Sequence, residues 1–207
     1  MAYLLLAKQR ISMAEQLIQA IRKLADIPKG EANRLLNISQ LKPIKRGELF
    51  ISEGQIPRKF AFIHEGLFRY YYVDDKGSEF TKGFFPENSF LSSYSAMIQQ
   101  KPSHFSIEAL EDATISVVKY QDWQGILSTH PCWQSLLLAL IEKAFIKKES
   151  REREFLLFDA EKRYRIFLEN YPGLNQRIKQ HLIASYLGIT SVALSRIRRK
   201  MGVVNLG

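Results

Sequence analysis

The amino-acid sequence predicts an α+β fold made of N-terminal helices, a β jelly roll, one long helix, and a C-terminal helix-turn-helix domain with little or no wing. Two stretches lead to this prediction. Residues 41–120 form short runs rich in Phe, Tyr, Ile and Val that glycines interrupt, as in proteins with closely spaced strands and turns. Residues 180–201 form two amphipathic segments on either side of Gly188, as in two helices joined by a tight turn. The predicted domains are residues 1–128, 129–158 and 159–207.

The first forty residues predict two helices. Apolar residues recur with helical spacing through residues 12–41, and Pro28 and Gly30 interrupt the pattern. We expect a second short helix from about residue 31 to residue 37. Residues 1–10 add little to this pattern, so we expect a loosely held extension there.

The β segment contains alternating patterns and one hairpin signal. Residues 60–64 and 67–73 alternate as strands do, and the turn sequence at residues 74–77 ends in glycine. This turn predicts a hairpin between the second run and a strand at residues 80–85. Further strands are predicted at residues 105–110 and 114–120. About eight strands in this space favour a double-sheet jelly roll.

A long helix is predicted to begin at Pro131, after the capping residues Ser128 and Thr129. Its apolar stripe is wider than packing against one domain requires. We therefore expect a second copy of the same helix to cover part of the stripe. The predicted dimer interface consists of Trp133, Leu136, Leu137, Leu140, Ile141 and Ala144.

The two C-terminal helices have complementary inner faces. Ile183 and Leu187 form the inner face of the first helix, and Leu194 and Ile197 form that of the second. Thr190 is a suitable N-cap for the second helix. Asp159 is predicted to cap the helix that precedes the pair, and Tyr164, Phe167 and Leu168 of that helix are expected to pack under the helix-turn-helix. Any amphipathic helix pair can show this pattern, so the charge of the segment decides between a structural and a functional interpretation.

The charge of the last segment has one sign. The chain of 207 residues has a net charge of +9, and residues 174–207 hold six basic residues and no Asp or Glu. A face of one sign beside a helix-turn-helix predicts a phosphate-backbone partner, which is double-stranded DNA. The candidate DNA-binding residues are Lys179, Gln180, Thr190, Ser191, Val192, Ser195, Arg196, Arg199 and Lys200.

Composition excludes several other classes of protein. No apolar run approaches the roughly 20 residues of a membrane helix, and residues 3–7 lack the preceding basic region of a secretory signal, so we expect a cytoplasmic protein. The single cysteine, Cys132, excludes an internal disulfide and a four-thiolate iron-sulfur cluster. Packing is the favoured role for Cys132, and redox sensing is the alternative.

A jelly roll, a long helix and a C-terminal helix-turn-helix, in this order, resemble the cyclic AMP receptor protein and fumarate-nitrate regulator (Crp/Fnr) family of transcription regulators. The resemblance covers nearly the whole chain. It implies a dimeric DNA-binding regulator that is not an enzyme, has a sensor domain like a cyclic nucleotide-binding domain, and has RNA polymerase as a further candidate partner. The matching motifs are Lys45-Arg46-Gly47-Glu48, Gly54, Gly66, Asp75-Lys76-Gly77, Glu161-Lys162-Arg163-Tyr164, Phe167-Leu168, and above all residues 183–189 and 194–198.

The sequence departs from the family at the ligand site. Family members that bind cyclic AMP hold the ribose with a Gly-Glu-Leu turn and the phosphate with an Arg-Ser-Ala run; residues 90–94 and Ser103-His104-Phe105 stand there instead. Ser103 cannot replace the bidentate, charged pair of an arginine. We expect that cyclic AMP is not the effector, and we predict no cofactor. The candidate effector-pocket residues are Ser89, Ser92, Ser93, Tyr94, Ser103 and His104.

A second departure lies at the C-terminus. Family members carry a β-hairpin wing after the recognition helix, whereas residues 202–207 are all that follow it in this sequence. The positions that match the family's base readers are Ser191, Val192 and Arg196. Arg196 is the best candidate for a guanine contact.

A metalloenzyme and a signalling module are the two alternatives to a DNA-binding protein. A cupin-like metalloenzyme would need two or three histidines and a carboxylate on neighbouring strands, but the four histidines lie on different predicted elements without an H-x-H pair, so no metal site is predicted. A signalling module that binds a nucleotide without DNA is the other alternative. The acid-free segment at residues 174–207 disfavours it.

Overall fold

A computed structural model describes the backbone of residues 2–202 and the side chains of residues 8–202. In this part of the chain, N-terminal helices precede two β-sheets, a long helix and a group of short C-terminal helices. The α+β architecture predicted from the sequence is confirmed. The expectation of little or no wing falls mainly on residues 203–207, which lie outside the described residues.

The described strands form two four-stranded sheets, which together are called the roll. One sheet has the order β1-β8-β3-β6 and the other has the order β2-β7-β4-β5. The pairs β1–β8, β3–β8, β3–β6 and β2–β7 are antiparallel. The strands are Ser39–Ile44 (β1), Leu49–Ile51 (β2), Lys59–Glu65 (β3), Phe68–Val73 (β4), Glu79–Phe85 (β5), Phe90–Leu91 (β6), Ser106–Ala109 (β7) and Ala113–Lys119 (β8).

The core of the roll lies between the two sheets. Ile63 and Ile115 from the first sheet and Phe68 and Ile107 from the second are completely buried in one cluster. Since successive strand residues point to opposite faces, strands β3, β4, β7 and β8 contribute every second residue to this core. The predicted double-sheet jelly roll is thus confirmed.

Strand β3 is buried on its other face as well. Phe62 belongs to a second apolar cluster that contains Leu17 and Ile21 from the first helix and Trp133 from the long helix. Helices therefore cover the outer face of this sheet. Both faces of β3 therefore carry mainly apolar side chains, as expected for a strand that is buried on both sides.

Gly66 makes the turn between β3 and β4 possible. Its φ angle is +99°, and a Cβ at this position would lie 2.6 Å from the Cβ of Ala113. A larger residue would force the turn away from Ala113 at the start of β8, because real Cβ atoms do not approach this closely. The close approach of the turn to Ala113 therefore depends on glycine.

The helices begin and end near the predicted positions, with three additions. The short helices α3, α4 and α7 were not predicted, and the helix predicted through residue 41 gives way to β1 at Ser39. None of the helices among the described residues combines the length and hydrophobicity needed to cross a bilayer. The helices are Ala2–Arg22 (α1), Lys29–Ile38 (α2), Tyr94–Gln99 (α3), Tyr120–Leu127 (α4), Pro131–Leu157 (α5), Ala160–Asn170 (α6), Leu174–Arg177 (α7), Gln180–Leu187 (α8) and Ser191–Lys200 (α9).

The N-terminal stretch expected to be a loosely held extension has the backbone of a helix. The backbone from Ala2 to Arg10 belongs to α1 and continues into the part of the helix that packs on the roll. The side chains of Lys8, Gln9 and Arg10 are exposed. Their exposure explains why the apolar pattern fades there although the helix continues. Met1 lies outside the described residues.

The contacts within the chain define two compact units. The first unit contains the residues up to Tyr70 together with Phe84–Ala144, and the second contains Tyr71–Gly83 together with the residues from Phe145 onward. This division differs from the predicted boundaries at residues 128 and 158, because α5 contributes its first half to one unit and its second half to the other.

Candidate functional site

The second unit contains the predicted helix-turn-helix. Helices α8 and α9 meet at Gly188, which has a φ angle of +67°, and the backbone N–H of Ile189 donates to the carbonyl of Ala184 at 3.0 Å. A Cβ on Gly188 would lie 2.8 Å from Cε1 of Phe155. Both the left-handed backbone and the neighbouring ring therefore require glycine at the turn.

Two predicted helix caps are present. The Thr190 hydroxyl accepts a hydrogen bond from the backbone N–H of Ala193 at 3.2 Å at the start of α9. At the start of α6, the Asp159 carboxylate accepts from the backbone N–H of Lys162 at 2.8 Å. Each side chain satisfies one N–H group that a helix leaves unpaired at its first turn. The sequence predicted both residues for this role, and both predictions are confirmed.

The inner faces of the helix pair are close to the prediction. Ile183, Leu187 and Leu194 are completely buried. Ile197 is only half-buried, whereas Arg198 is 7% exposed and lies near the buried Tyr164 of α6. Arg198 stands four residues after Leu194, so helical spacing could have placed it on the inner face; its charge argued against that position.

The outer face of α9 is defined by Ser191, Val192, Ser195, Arg196 and Arg199, and all five side chains are exposed. Val192 is 63% exposed. At the helix starts, Lys179 and Thr190 are exposed and Gln180 is half-buried. The sequence-predicted DNA-binding residues are thus available to a partner, with Gln180 less so.

An acidic residue from another helix changes the electrostatics of this region. Nζ of Lys200 lies 2.6 Å from a carboxylate oxygen of Glu161 in α6, and Arg165 pairs with the same carboxylate at 2.8 Å. Hydrogen bonds from Lys200 and then Arg165 lower the pKa of Glu161. The positive charge of Lys200 is therefore partly offset, although residues 174–207 contain no acid.

Aromatic residues of α6 and a guanidinium of α5 pack against helix α8. Tyr164 and Phe167 of α6 are completely buried, as predicted, and the ring centroid of Phe167 lies 5.6 Å from that of Tyr186 in α8. The guanidinium of Arg151 lies 3.7 Å from the ring centroid of Tyr186 and 4.1 Å from that of Phe155. Cation–π contacts of this kind attach the end of α5 to α8.

The tip of the β4–β5 hairpin belongs to the same unit. The Ser185 hydroxyl of α8 accepts a hydrogen bond from the backbone N–H of Thr81 at 2.8 Å and donates to the carbonyl of Glu79 at 3.0 Å. One side chain thus bonds two backbone groups that are two residues apart on β5. The sequence pattern contained no signal for this contact, because the residues are more than a hundred positions apart.

The candidate effector-pocket residues lie in the first unit and are only partly brought together. The hydroxyls of Ser93 and Ser103 are 2.8 Å apart and buried, and the backbone N–H of Ser92 donates to the hydroxyl of Tyr70 at 2.7 Å. His104, in contrast, is exposed. Tyr94 and Ser89 are half-buried. Tyr70 was not predicted for this site, because its strand alternation is also that of a core residue.

The predicted dimer interface needs correction at two positions. Trp133 and Leu136 are buried in the apolar cluster beneath α1 and α2, and Nε1 of Trp133 donates to Glu31 at 2.8 Å. These side chains cannot contact a second copy without unpacking the core. Leu137 and Leu140 are partly buried against the same cluster.

The accessible apolar residues of α5 lie slightly further along the helix. Leu138 and Ile141 are 57% and 41% exposed, and Ala144 is also exposed. Phe145, at the end of the same apolar stripe, is 64% exposed. Next to Leu138 is a groove of about 470 Å³. It is lined by Gln124, Leu127, Ser128, Gln134, Leu137, Leu138 and Ile141.

The histidines and the cysteine form no common site among the described residues. His64 is buried, His104 and His181 are exposed, and Nδ1 of His130 accepts from the backbone N–H of Cys132 at 3.1 Å. Within residues 8–202, no three His, Cys, Asp or Glu side chains lie close enough together to hold a metal ion. Cys132 is buried, and burial is the main cause that raises the pKa of its thiol.

Comparison with known proteins defines the class of the roll. Residues 41–130 match the family model of the cyclic nucleotide-binding domain. The chain therefore contains a domain of the cyclic nucleotide-binding type, as the sequence resemblance implied. No curated protein sequence gives a significant match to the chain.

Solved structures extend the comparison over both units. The c-di-GMP responsive global regulator CLP from Xanthomonas campestris is 14% identical, with a TM-score of 0.69 over 85% of this chain and 92% of that one. FixK2 from Bradyrhizobium japonicum is 18% identical, with a TM-score of 0.70 over 82% and 89%. A putative transcriptional regulator of the Crp/Fnr family from Eubacterium rectale is 17% identical, with a TM-score of 0.69 over 88% of each chain. The fold is that of Crp/Fnr-type transcription regulators.

Proposed function

We propose that the chain is a dimeric, sequence-specific DNA-binding transcription regulator of the Crp/Fnr type. The observation that supports this most is the outer face of α9, where polar and basic side chains are exposed on a capped helix that packs on α8 and is paired with α6 through Lys200 and Glu161. A helix presented in this way has the width and chemistry to enter the major groove of DNA.

The residues of this surface suit different kinds of contact. Arg196 lies on the second turn of α9, where an exposed guanidinium can donate two hydrogen bonds to a guanine edge. Lys179 and Thr190 lie at the starts of α8 and α9, where side chains and backbone N–H groups meet phosphates. Ser191 and Val192 lie in the first turn of α9 and suit contacts to bases or thymine methyl groups.

The dimer part of the proposal depends on α5. Leu138, Ile141 and Phe145 follow one another at spacings of three and four residues, which places them on one side of a helix. A second copy of α5 would cover this apolar side, as in a two-stranded helix pair. Two recognition helices would then contact half-sites roughly 34 Å apart on DNA.

The remaining parts of the proposal follow from this role. The protein is proposed to act in the cytoplasm, where DNA is accessible, and RNA polymerase is proposed as a second partner. The fold neighbours include a global regulator and a putative transcriptional regulator of the Crp/Fnr family. We therefore propose that the protein is not an enzyme.

Selection of bound duplexes from a random DNA library with the purified protein tests this function. We expect enrichment of a two-fold symmetric sequence whose half-sites are one helical turn apart. Arg196→Ala should then lose preference at one base pair of each half-site, whereas Lys101→Ala, an exposed change on the roll, should behave like the wild type. Failure to enrich any sequence at low salt would refute sequence-specific DNA binding.

A further inference from the structure

Tyr70 lies between the two segments that correspond to the ligand-holding parts of a cyclic nucleotide-binding domain. The first segment, residues 90–94, contains Ser92, whose backbone N–H donates to the Tyr70 hydroxyl at 2.7 Å. The second segment contains Phe105, whose ring centroid lies 5.1 Å from that of Tyr70. One side chain therefore contacts both parts of the expected site.

The ring of Tyr70 is covered on both faces. Phe85 stacks on it with centroids 3.9 Å apart and an interplanar angle of 23°, and Phe105 stacks on it at 19°. Tyr70 is 5% exposed and belongs to the core of the roll. A nucleotide base is also a flat ring that binds proteins by stacking on aromatic faces. The phenol ring thus occupies the kind of slot that a base would need.

The hydroxyls of Ser93 and Ser103 are satisfied within the chain, whereas the hydroxyl of Ser92 in the same segment is buried without a hydrogen-bond partner among the described residues. The hydroxyls of Ser93 and Ser103 are 2.8 Å apart, and the Ser103 hydroxyl also donates to the carbonyl of Phe105 at 2.8 Å. Ser93 and Ser103 are 1% and 2% exposed. Neither segment contributes a buried cation, and burial raises the pKa of Tyr70, which keeps its hydroxyl neutral.

A cyclic nucleotide does not fit this arrangement. Its phosphate would be buried without a positive partner, which is costly, and its base would have to displace Tyr70 from two aromatic faces. The residues that surround the expected site therefore disagree with the ligand that the domain type implies.

We propose that the side chain of Tyr70 fills the space that a nucleotide base would take in this domain. The roll therefore keeps its conformation without a cyclic nucleotide. This inference rests on the proposed function. If the protein is a DNA-binding regulator, it should bind its DNA without an added nucleotide. The regulation of such a protein would come from its synthesis or from another surface, and not from nucleotide binding in the roll.

Chemical rescue tests the role of Tyr70 directly. Tyr70→Ala should lower the thermal midpoint by roughly 10 °C, because it leaves a cavity in the core. Addition of p-cresol, which carries the phenol ring that the substitution removes, should restore about 3 °C or more of this loss. Tyr72→Ala, which removes an exposed tyrosine from the same strand, should show neither the loss nor the rescue.

Calorimetry on the wild type gives a second test that does not depend on a variant. Cyclic AMP, cyclic GMP and p-cresol should produce no binding heat at millimolar concentration. Micromolar affinity for either nucleotide would overturn the proposal, and so would a folded Tyr70→Ala that p-cresol stabilises no more than Tyr72→Ala. If Tyr70→Ala does not fold, the wild-type titrations decide.

Measurements of DNA affinity with and without a cyclic nucleotide distinguish this inference from the proposed function. The affinity of the wild type for its selected DNA should be unchanged, within a factor of two, when cyclic AMP or cyclic GMP is added. A tenfold increase with either nucleotide would overturn the inference and leave the proposed function intact. Absence of any specific DNA binding would overturn the proposed function, and the rescue and calorimetric results would still decide whether Tyr70 occupies the site.

Discussion

Arg151 contacts Tyr186 twice: its guanidinium lies 3.7 Å from the centroid of the tyrosine ring and donates a hydrogen bond to the tyrosine backbone carbonyl. Glu154, which is buried, pairs with the same guanidinium at 3.3 Å. Because Tyr186 belongs to the first helix of the helix-turn-helix, this pair fixes α8 against the end of α5.

Arg151→Ala should lower the free energy of unfolding by about 1–2 kcal/mol, since it removes cation–π contacts and leaves a buried carboxylate without its partner. Urea denaturation followed by circular dichroism measures this change. Arg153→Ala, an exposed substitution two residues later, is the matched control and should change the free energy by less than about 0.5 kcal/mol. Equal effects of the two substitutions would show that the contacts with Tyr186 add no stability.

The basic residues should differ in how they contribute to DNA binding. Arg196→Ala should cost about 1–3 kcal/mol on the selected sequence and relax preference at one base pair. Lys179→Ala should weaken binding to all sequences alike and reduce the salt slope by about one unit. Fluorescence anisotropy over a range of salt concentrations measures both quantities.

Lys200 provides an internal comparison for these measurements. Its ion pair with Glu161 offsets its charge, so Lys200→Ala should reduce the salt slope less than Lys179→Ala does. Arg199, which is exposed on the outer face of α9, should behave like Lys179. If Arg196→Ala weakened binding uniformly with unchanged preference, Arg196 would be a phosphate contact, and specificity would lie with Ser191, Val192, Ser195 or DNA shape.

Charged substitutions on α5 should separate the proposed dimer. Leu138→Glu combined with Ile141→Glu should give a folded monomer, because both side chains are substantially exposed in a single protomer. Analytical ultracentrifugation at micromolar concentration measures the state. Ile98→Glu, on the exposed side of α3, is the control and should leave the assembly unchanged. Wild-type protein that sediments as a monomer would contradict the dimer.

The stability of the fold should depend on pH through His64. Burial lowers the pKa of His64 to about 4, and its partners Gln16 and Ser116 are uncharged. In the unfolded chain a histidine titrates near 6.5. Between pH 6.5 and 4 the unfolded chain therefore binds a proton that the folded chain does not, so stability is greatest above pH 6.5 and falls as the pH approaches 4.

The contribution of His64 is expected to be on the order of 1–3 kcal/mol between pH 7 and pH 4. Denaturant titrations at several pH values, compared between the wild type and His64→Gln, separate the contribution of His64 to the pH dependence from that of the carboxylates. His64→Gln should show a shallower loss of stability over this range. His104→Gln, which changes an exposed histidine, should follow the wild-type curve. A His64→Gln curve parallel to that of the wild type would contradict the assignment.

The features that could be predicted from the sequence have local causes. Thr190, Gly188 and Asp159 act within one turn of their own helix, so their chemistry is visible in the residues next to them. The hairpin at residues 74–77 is similar, since the Asp74 carboxylate accepts from the backbone N–H groups of Lys76 and Ser78. Strand alternation likewise predicted most of the roll.

The features that could not be predicted depend on residues far apart in the chain. Trp133 was expected at a dimer interface, but Glu31 accepts its indole N–H within the core. Tyr70 became part of the candidate site only through Phe85 at the end of β5 and Phe105 just before β7. In each case the deciding partner could not be identified by spacing or composition alone.

The bonds that Ser185 makes with β5 have a consequence for solubility. Strand β5 is at the edge of its sheet, and an edge strand offers backbone groups with which a strand from another molecule can pair. The Ser185 hydroxyl already bonds the N–H of Thr81 and the carbonyl of Glu79. An incoming strand therefore finds these groups engaged, which protects the exposed Phe80 between them from seeding aggregation.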